Sequence, residues 1–285
     1  MTEAEKQYID LYTEASEAIK EHSAGVMNAV RDRAFEDFRR QGFPTRKVER
    51  YKYTDMEKIF APNYGLNINR IEFPVDPYAA FRCDVPNLST LLYFVVNDAF
   101  YTKRLPNVQP EEGVVIGSLR KAAEEHPELI ARYYARIAKT EEDAITALNT
   151  MLAQDGLLIY VPKNVQMEKC VQIINILRAD VSMMVNRRVL IVMEEGAKAK
   201  FLFCDHTADD HDFLATQVIE AYVGDNASLD LYCMEETHYK NTRISNVYVE
   251  QERDSRFNHN VITLHNGVTR NRLDVQLKGE GAECW

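Results

Sequence analysis

Apolar side chains recur at helical spacing through the first 40 or so residues. Tyr8, Leu11, Tyr12, Ala15, Ala18 and Ile19 form one stripe, and Met27, Val30, Ala34 and Phe38 continue it. The period predicts one helix over residues 2–41. Thr2 and Glu5 make a capping-box pair at its start, and Gly42 followed by Pro44 ends it. A basic, aromatic stretch from Arg46 to Asp55 comes next. Residues 62–110 hold six of the nine prolines, which predicts short strands and turns with Leu91–Val96 as a buried strand. Helix returns where Ser118 can cap and where Pro127 can open a first turn. It returns again at Thr140-Glu141-Glu142-Asp143, which sets acidic groups at the positive end of a helix dipole.

After Gly156 the period falls to two. With Val165, Ala197, Ala227 and Ser255 as anchors, the spacings are 32, 30 and 28 residues. Eight, six and four positions before them stand Leu157, Ile159, Val161; Val189, Ile191, Met193; Ile219, Ala221, Val223; and Val247, Val249, Gln251. A fifth copy gives Leu273, Val275 and Leu277 if its turn, Gly279-Glu280-Gly281, carries one extra residue. Two positions after the anchors come Met167, Ala199, Leu229, Phe257 and Cys284, and six after come Val171, Phe203, Cys233 and Val261. Each unit reads strand, tight turn, strand, polar connection, with one face inward. One such unit cannot bury that face alone, but stacked units can. A β-solenoid is therefore expected in preference to a sandwich of hairpins, because the phase holds over five copies. The expected organisation is a largely helical region over residues 1–155, with a strand-and-turn segment at about 62–115, and a mainly β core over 156–285.

Hydrophobic residues at 46% and charged ones at 27% exclude disordered and collagen-like chains. A net charge of -10 makes a poor general binder of nucleic acid or of an anionic membrane surface. The longest apolar runs, Leu91–Val96 and Leu157–Val161, fall far short of the roughly 20 residues that span a bilayer as a helix. Met1 to Glu5 has no signal-peptide character. Neither nucleic acid nor membrane is an expected partner. Five cysteines (Cys83, Cys170, Cys204, Cys233 and Cys284), odd in number and without C-x-x-C, fit reduced thiols and a cytoplasmic location.

Three stretches resemble one family. Lys47-Val48-Glu49-Arg50-Tyr51-Lys52-Tyr53-Thr54-Asp55 is similar to a K-x-E-x-W/Y-R/K-Y-T-D pattern. Residues 143–162, ending Asp155-Gly156-Leu157-Leu158-Ile159-Tyr160-Val161-Pro162, are similar to a helix-to-core join. Arg270-Asn271-Arg272-Leu273-Asp274-Val275-Gln276-Leu277-Lys278-Gly279-Glu280-Gly281-Ala282 is similar to a core coil. The combination resembles the SufB/SufD family of iron–sulfur cluster assembly proteins, and its short N-terminal region looks like the SufD branch.

The resemblance implies a right-handed parallel β-helix behind a helical N-terminal region. It implies a non-catalytic scaffold that pairs with SufB and the ATPase SufC. In the full complex an iron–sulfur cluster is assembled transiently and passed to apoproteins, and no cofactor is assigned to this chain. The chain itself has no G-x-x-x-x-G-K-[ST] loop. Family members continue through further coils to a helical C-terminal segment. This chain stops just past the turn of its last coil, so it is expected to be truncated. An uncapped coil exposes a pairing edge at Leu273, Val275, Leu277 and Trp285, through which self-association is expected.

Iron–sulfur chemistry needs thiolates, with histidine as an occasional ligand. By register Cys233, His259 and Cys284 point inward as diagonal neighbours and would form an interior sulfur- or iron-handling line. The plainer reading is a buried thiol and a satisfied core histidine. Cys204, His206 and His211 form the densest cluster and would be a surface metal site, against the plainer reading of an acidic solvated loop. Cys83 and Cys170 read as structural.

The alternatives are a solenoid enzyme acting on carbohydrate or acyl groups, and a plain interaction module using its open edge. Glycoside chemistry needs paired carboxylates. Glu194-Glu195 and Glu235-Glu236 are adjacent, so each pair faces opposite sides of a strand, and they read as turn and surface acids. There is no G-x-S-x-G. The Arg46–Lys52 stretch with Phe43, Tyr51 and Tyr53 invites a nucleic-acid reading. The negative overall charge favours aromatics that anchor the segment instead.

Overall fold

A computed structural model describes residues 1–80 and 90–285; Cys83 lies outside them. Among the described residues the N-terminal region holds seven α-helices, α1 (Glu3–Glu21), α2 (Gly25–Gln41), α3 (Met56–Phe60), α4 (Pro77–Ala80), α5 (Leu119–Glu125), α6 (Pro127–Tyr133) and α7 (Ala144–Leu152), and a single 3-10 turn at Glu49–Tyr51. The capping box of Thr2 and Glu5, the Ser118 cap, Pro127 at the first turn of α6 and the Asp143 cap of α7 all stand where expected. The single helix expected over 2–41 is broken at residues 22–24. Asn28 Nδ2 donates to the Lys20 carbonyl at 3.0 Å and closes the end of α1. The chain then doubles back, so that Tyr12 stacks on Phe35 and donates to Asp32 at 2.8 Å. The periodicity runs on through the break because Ala34 and Phe38 of α2 join Tyr8, Tyr12 and Ile19 in one core, while Met27 and Val30 pack in a second with Leu119 and Ile130.

The β region comprises β1 (Thr90–Val96), β2 (Ala99–Phe100), β3 (Val115–Ser118), β4 (Leu157–Val161), β5 (Cys170–Leu177), β6 (Met183–Met193), β7 (Lys198–Thr207), β8 (Phe213–Val223), β9 (Ser228–Glu236), β10 (Asn241–Gln251), β11 (Arg256–His265), β12 (Val268–Leu277) and β13 (Glu283–Cys284). They form two sheets, ordered β13-β11-β9-β7-β5-β1-β2 and β12-β10-β8-β6-β4-β3. The fold is a parallel β-solenoid behind a helical region, as expected. Leu157, Val189, Ile219, Val247 and Leu273 stack in one file across the second sheet. One file shifts: Phe203 pairs with Ile173 rather than Val171, because two extra residues lie between Gln166 and Val171.

Each tight turn places one residue in the left-handed region directly before the anchor: Asn164, Gly196, Asn226, Asp254 and Gly281. These are the residue types that tolerate it. Antiparallel β2 and β3 close one end of the stack, and blunt its pairing edges. Gly156 lets the chain enter β4 against β6; a Cβ there would stand 2.1 Å from the Arg188 carbonyl oxygen.

The lumen is packed with the inward file, including Ile159, Ile191, Ala221, Val249, Phe201 and Leu231. Each fully buried aliphatic side chain contributes about 1.5–3 kcal/mol. Helix α7 is buried along its whole length, between α2 and the outer face of the second sheet. Asn149 Nδ2 ties it down, donating to Arg187 O at 3.1 Å and Thr216 Oγ1 at 3.0 Å.

Candidate functional site

The interior line lies in the expected register. Leu231 pairs with His259, Cys233 with Val261, and Phe257 with Cys284, so the three candidates descend diagonally over β9, β11 and β13. His259 Nδ1 donates to the Leu231 carbonyl oxygen at 3.1 Å, and its ring stacks on Phe257. Burial pushes the His259 pKa down, which favours neutral imidazole. Cys233 is enclosed in the lumen, and burial pushes its thiol up to about 12. A thiol so placed is protonated at neutral pH and weakly nucleophilic. Cys284 is exposed.

Cys204 is not in a surface loop. Strand β7 runs on to Thr207 and carries Cys204 into a small cluster with Phe94, Ile174 and Ile176, flanked by Tyr78, Leu92 and Tyr101. The side chain points out of the lumen, as the register requires, but the cluster covers it completely; Gln172 Nε2 donates to Sγ at 3.5 Å. His206 is half-buried on the same strand, with its pKa lowered by burial. His211 lies in the following turn and donates its backbone N–H to Asp209. Among the described residues, no group of three or more His, Cys, Asp or Glu side chains is gathered closely enough to hold a metal ion.

The proposed interaction edge is open. Strands β12 and β13 each end a sheet. Leu273, Leu277 and Trp285 are exposed, while Val275 packs partly on the lumen core. Ile262 and Leu264 on β11 and Val268 on β12 add exposed apolar surface that the sequence reading did not single out.

A polar stripe inside the lumen was also missed. Arg187 Nη1 reaches Asp205 Oδ1 at 2.5 Å, and Arg243 Nε lies 2.9 Å from Asp205 Oδ2. Arg243 also pairs with Glu235, which accepts hydrogen bonds from Thr263 and Thr269. All four charged groups are buried and hold the inward phase. Glu235 is therefore a core ion-pair partner rather than the surface acid expected. Burial alone would raise the Asp205 pKa, but Arg187 and Arg243 together hold it below the usual carboxylate range.

On the outer face of the second sheet, two carboxylates fasten the helical region. Glu220 accepts the backbone N–H groups of Ala135, Arg136, Ile137 and Ala138 at 2.8–3.2 Å and pairs with buried Arg188 at 2.5 Å. Asp143 caps α7 through Thr146 N and also accepts from Tyr51 Oη at 2.6 Å, Asn246 Nδ2 at 3.1 Å and Arg272 Nη1 at 2.9 Å. The guanidinium of Arg270 lies 4.0 Å from the Tyr51 ring centroid. The three stretches that carry the family resemblance thus meet at one buried carboxylate. Tyr51 anchors the basic segment as expected, whereas Tyr53 is 91% exposed.

Fold and fastenings define a β-solenoid protein whose helical region is bound to one outer face and whose last strands keep a free edge. The chain belongs to the SufBD family. Residues 2–173 match the SufBD protein N-terminal region, and residues 175–285 match the SufBD core domain of the SUF FeS cluster assembly system. It is 26% identical over 242 residues to the iron-sulfur cluster assembly protein SufD of Bacillus subtilis, covering 82% of this chain and 54% of that protein. It is 28% identical over 183 residues to a SufBD family protein of Synechocystis, covering 61% of this chain and 35% of the relative. A chloroplastic SufBD family protein of Arabidopsis thaliana is 31% identical over 122 residues, which is 42% of this chain and 21% of the relative. The chain spans about half the length of the Bacillus protein and less of the other two. Among the described residues no helix is long and apolar enough to cross a membrane.

Proposed function

We propose that this chain serves as a non-catalytic scaffold subunit of cytoplasmic iron–sulfur cluster assembly, working with SufB and SufC homologues. The observation that carries this reading is family membership along nearly the whole chain, N-terminal region and core alike. In this reading the cluster is cargo, built on the assembled complex and delivered to apoproteins. The edge of β12 and β13, with Leu273, Val275, Leu277 and Trp285, is in this reading an interaction surface through which one copy of the chain associates with another. The interior line of Cys233, His259 and Cys284 is the place to look for sulfur handling, with Cys284 its accessible end.

The test is co-purification of the tagged chain with its cognate SufB and SufC homologues, expressed together. A stable complex containing both supports the reading, and a chain recovered without either removes it.

A further inference from the structure

Two exposed surfaces far apart in sequence share one buried anchor. Between Phe43 and Met56, Tyr51 is the one buried side chain, while residues 45–50, Lys52 and Tyr53 are exposed. Among the described residues, strand β12 is bonded to one neighbour only, β10. Its outward residues Arg270 and Arg272 reach back to the same place. Arg270 Nη2 donates to the Arg50 carbonyl oxygen at 3.0 Å and its guanidinium covers the Tyr51 ring. Arg272 Nη1 and the Tyr51 hydroxyl both donate to Asp143 Oδ2. The seated segment thus gives β12 a second tie, and β12 covers the segment's only buried ring.

We infer that this clamp is a coupling device: seating of residues 45–53 and order of edge strand β12 stabilise one another through Asp143. A protein strand that pairs with β12 then firms the seat of residues 45–53, and a firmly seated 45–53 strengthens that pairing by the same factor, as linkage requires. That a protein partner uses the β12 edge rests on the proposed function, whereas the coupling belongs to the free chain and is testable there.

Hydrogen exchange of the whole chain, read by mass spectrometry, compares Tyr51→Phe with Arg272→Gln. The first removes one hydroxyl from Asp143, and the second removes the Arg272 guanidinium while Arg50, with Nε 3.9 Å from Asp143 Oδ2, stays as a counter-charge; exchange in β6 and β8 reports whether the fold as a whole has weakened. Tyr51→Phe should speed exchange in residues 268–277, and Arg272→Gln in residues 45–55, each by about tenfold or more, since each removes a hydrogen bond to the Asp143 carboxylate and Arg272→Gln also removes those to Tyr248 and Asp274. Exchange in β6 and β8 should not change. Loosening confined to the mutated segment overturns the coupling. So does a uniform rise that includes β6 and β8, which would mean general destabilisation. Failure to bind a SufB homologue would leave the exchange pattern intact, so the two claims fail separately.

Discussion

Inside the solenoid the Arg243 guanidinium lies 2.9 Å from the Asp205 carboxylate, with Arg187 on the other carboxylate oxygen. Removing one member of such a network leaves a buried charge without its counter-charge. Asp205→Asn should therefore cost about 3–5 kcal/mol in urea unfolding, far more than a surface change.

The same network predicts the acid limb of stability. Asp205 has a folded pKa held below its unfolded value. Its contribution is full above the unfolded carboxylate pKa of about 3.9 and is lost as pH falls from there through the folded value. Unfolding free energy measured from pH 6 to pH 2.5 should drop more steeply below pH 4 in the native chain than in Asp205→Asn. Parallel curves would contradict this.

Glu220 holds four consecutive backbone N–H groups and Arg188. Glu220→Ala should release residues 133–139 from the outer face. Limited proteolysis should then cut within that stretch at protease levels that leave the native chain intact, with a stability loss of about 3–5 kcal/mol.

Thiol accessibility should follow the lumen geometry. At pH 8 iodoacetamide should modify exposed Cys284 in the native chain and spare Cys233, whose thiol is enclosed and pushed up to about 12. Unfolding should make all five cysteines reactive. Modification of native Cys233 at the rate of Cys284 would mean that the lumen opens.

The exposed edge predicts concentration-dependent association of this chain. Sedimentation should show it, and Leu277→Lys with Ile262→Lys should reduce it by charging the surface around the free strands. A strictly monomeric chain at all concentrations would contradict the role assigned to the edge.

Much of the solenoid was legible because inward positions obey a period of two. The file from Leu157 to Leu273 follows from counting alone. The left-handed residue before each anchor was present in the sequence as Asn, Gly or Asp, a signal the anchor count did not use. The polar stripe was one step further along the same count: eight residues past Ala197, Ala227 and Ser255 stand Asp205, Glu235 and Thr263. Charge suggested surface, and the inward phase outweighed it. The break between α1 and α2 was hidden because both halves bury side chains in one core. Cys204 was misplaced because β7 outlasts the apolar alternation by several residues. Asp143 was readable as a helix cap, but nothing local pointed to Arg272, 129 residues away.

The scaffold reading is tested most directly by anaerobic reconstitution. Cognate SufB and SufC homologues, supplied with iron and sulfide, are compared with and without this chain by visible absorption of the cluster. The account predicts that the chain enters the complex and raises cluster yield severalfold. A yield unchanged by its presence, with no chain in the complex, would contradict it.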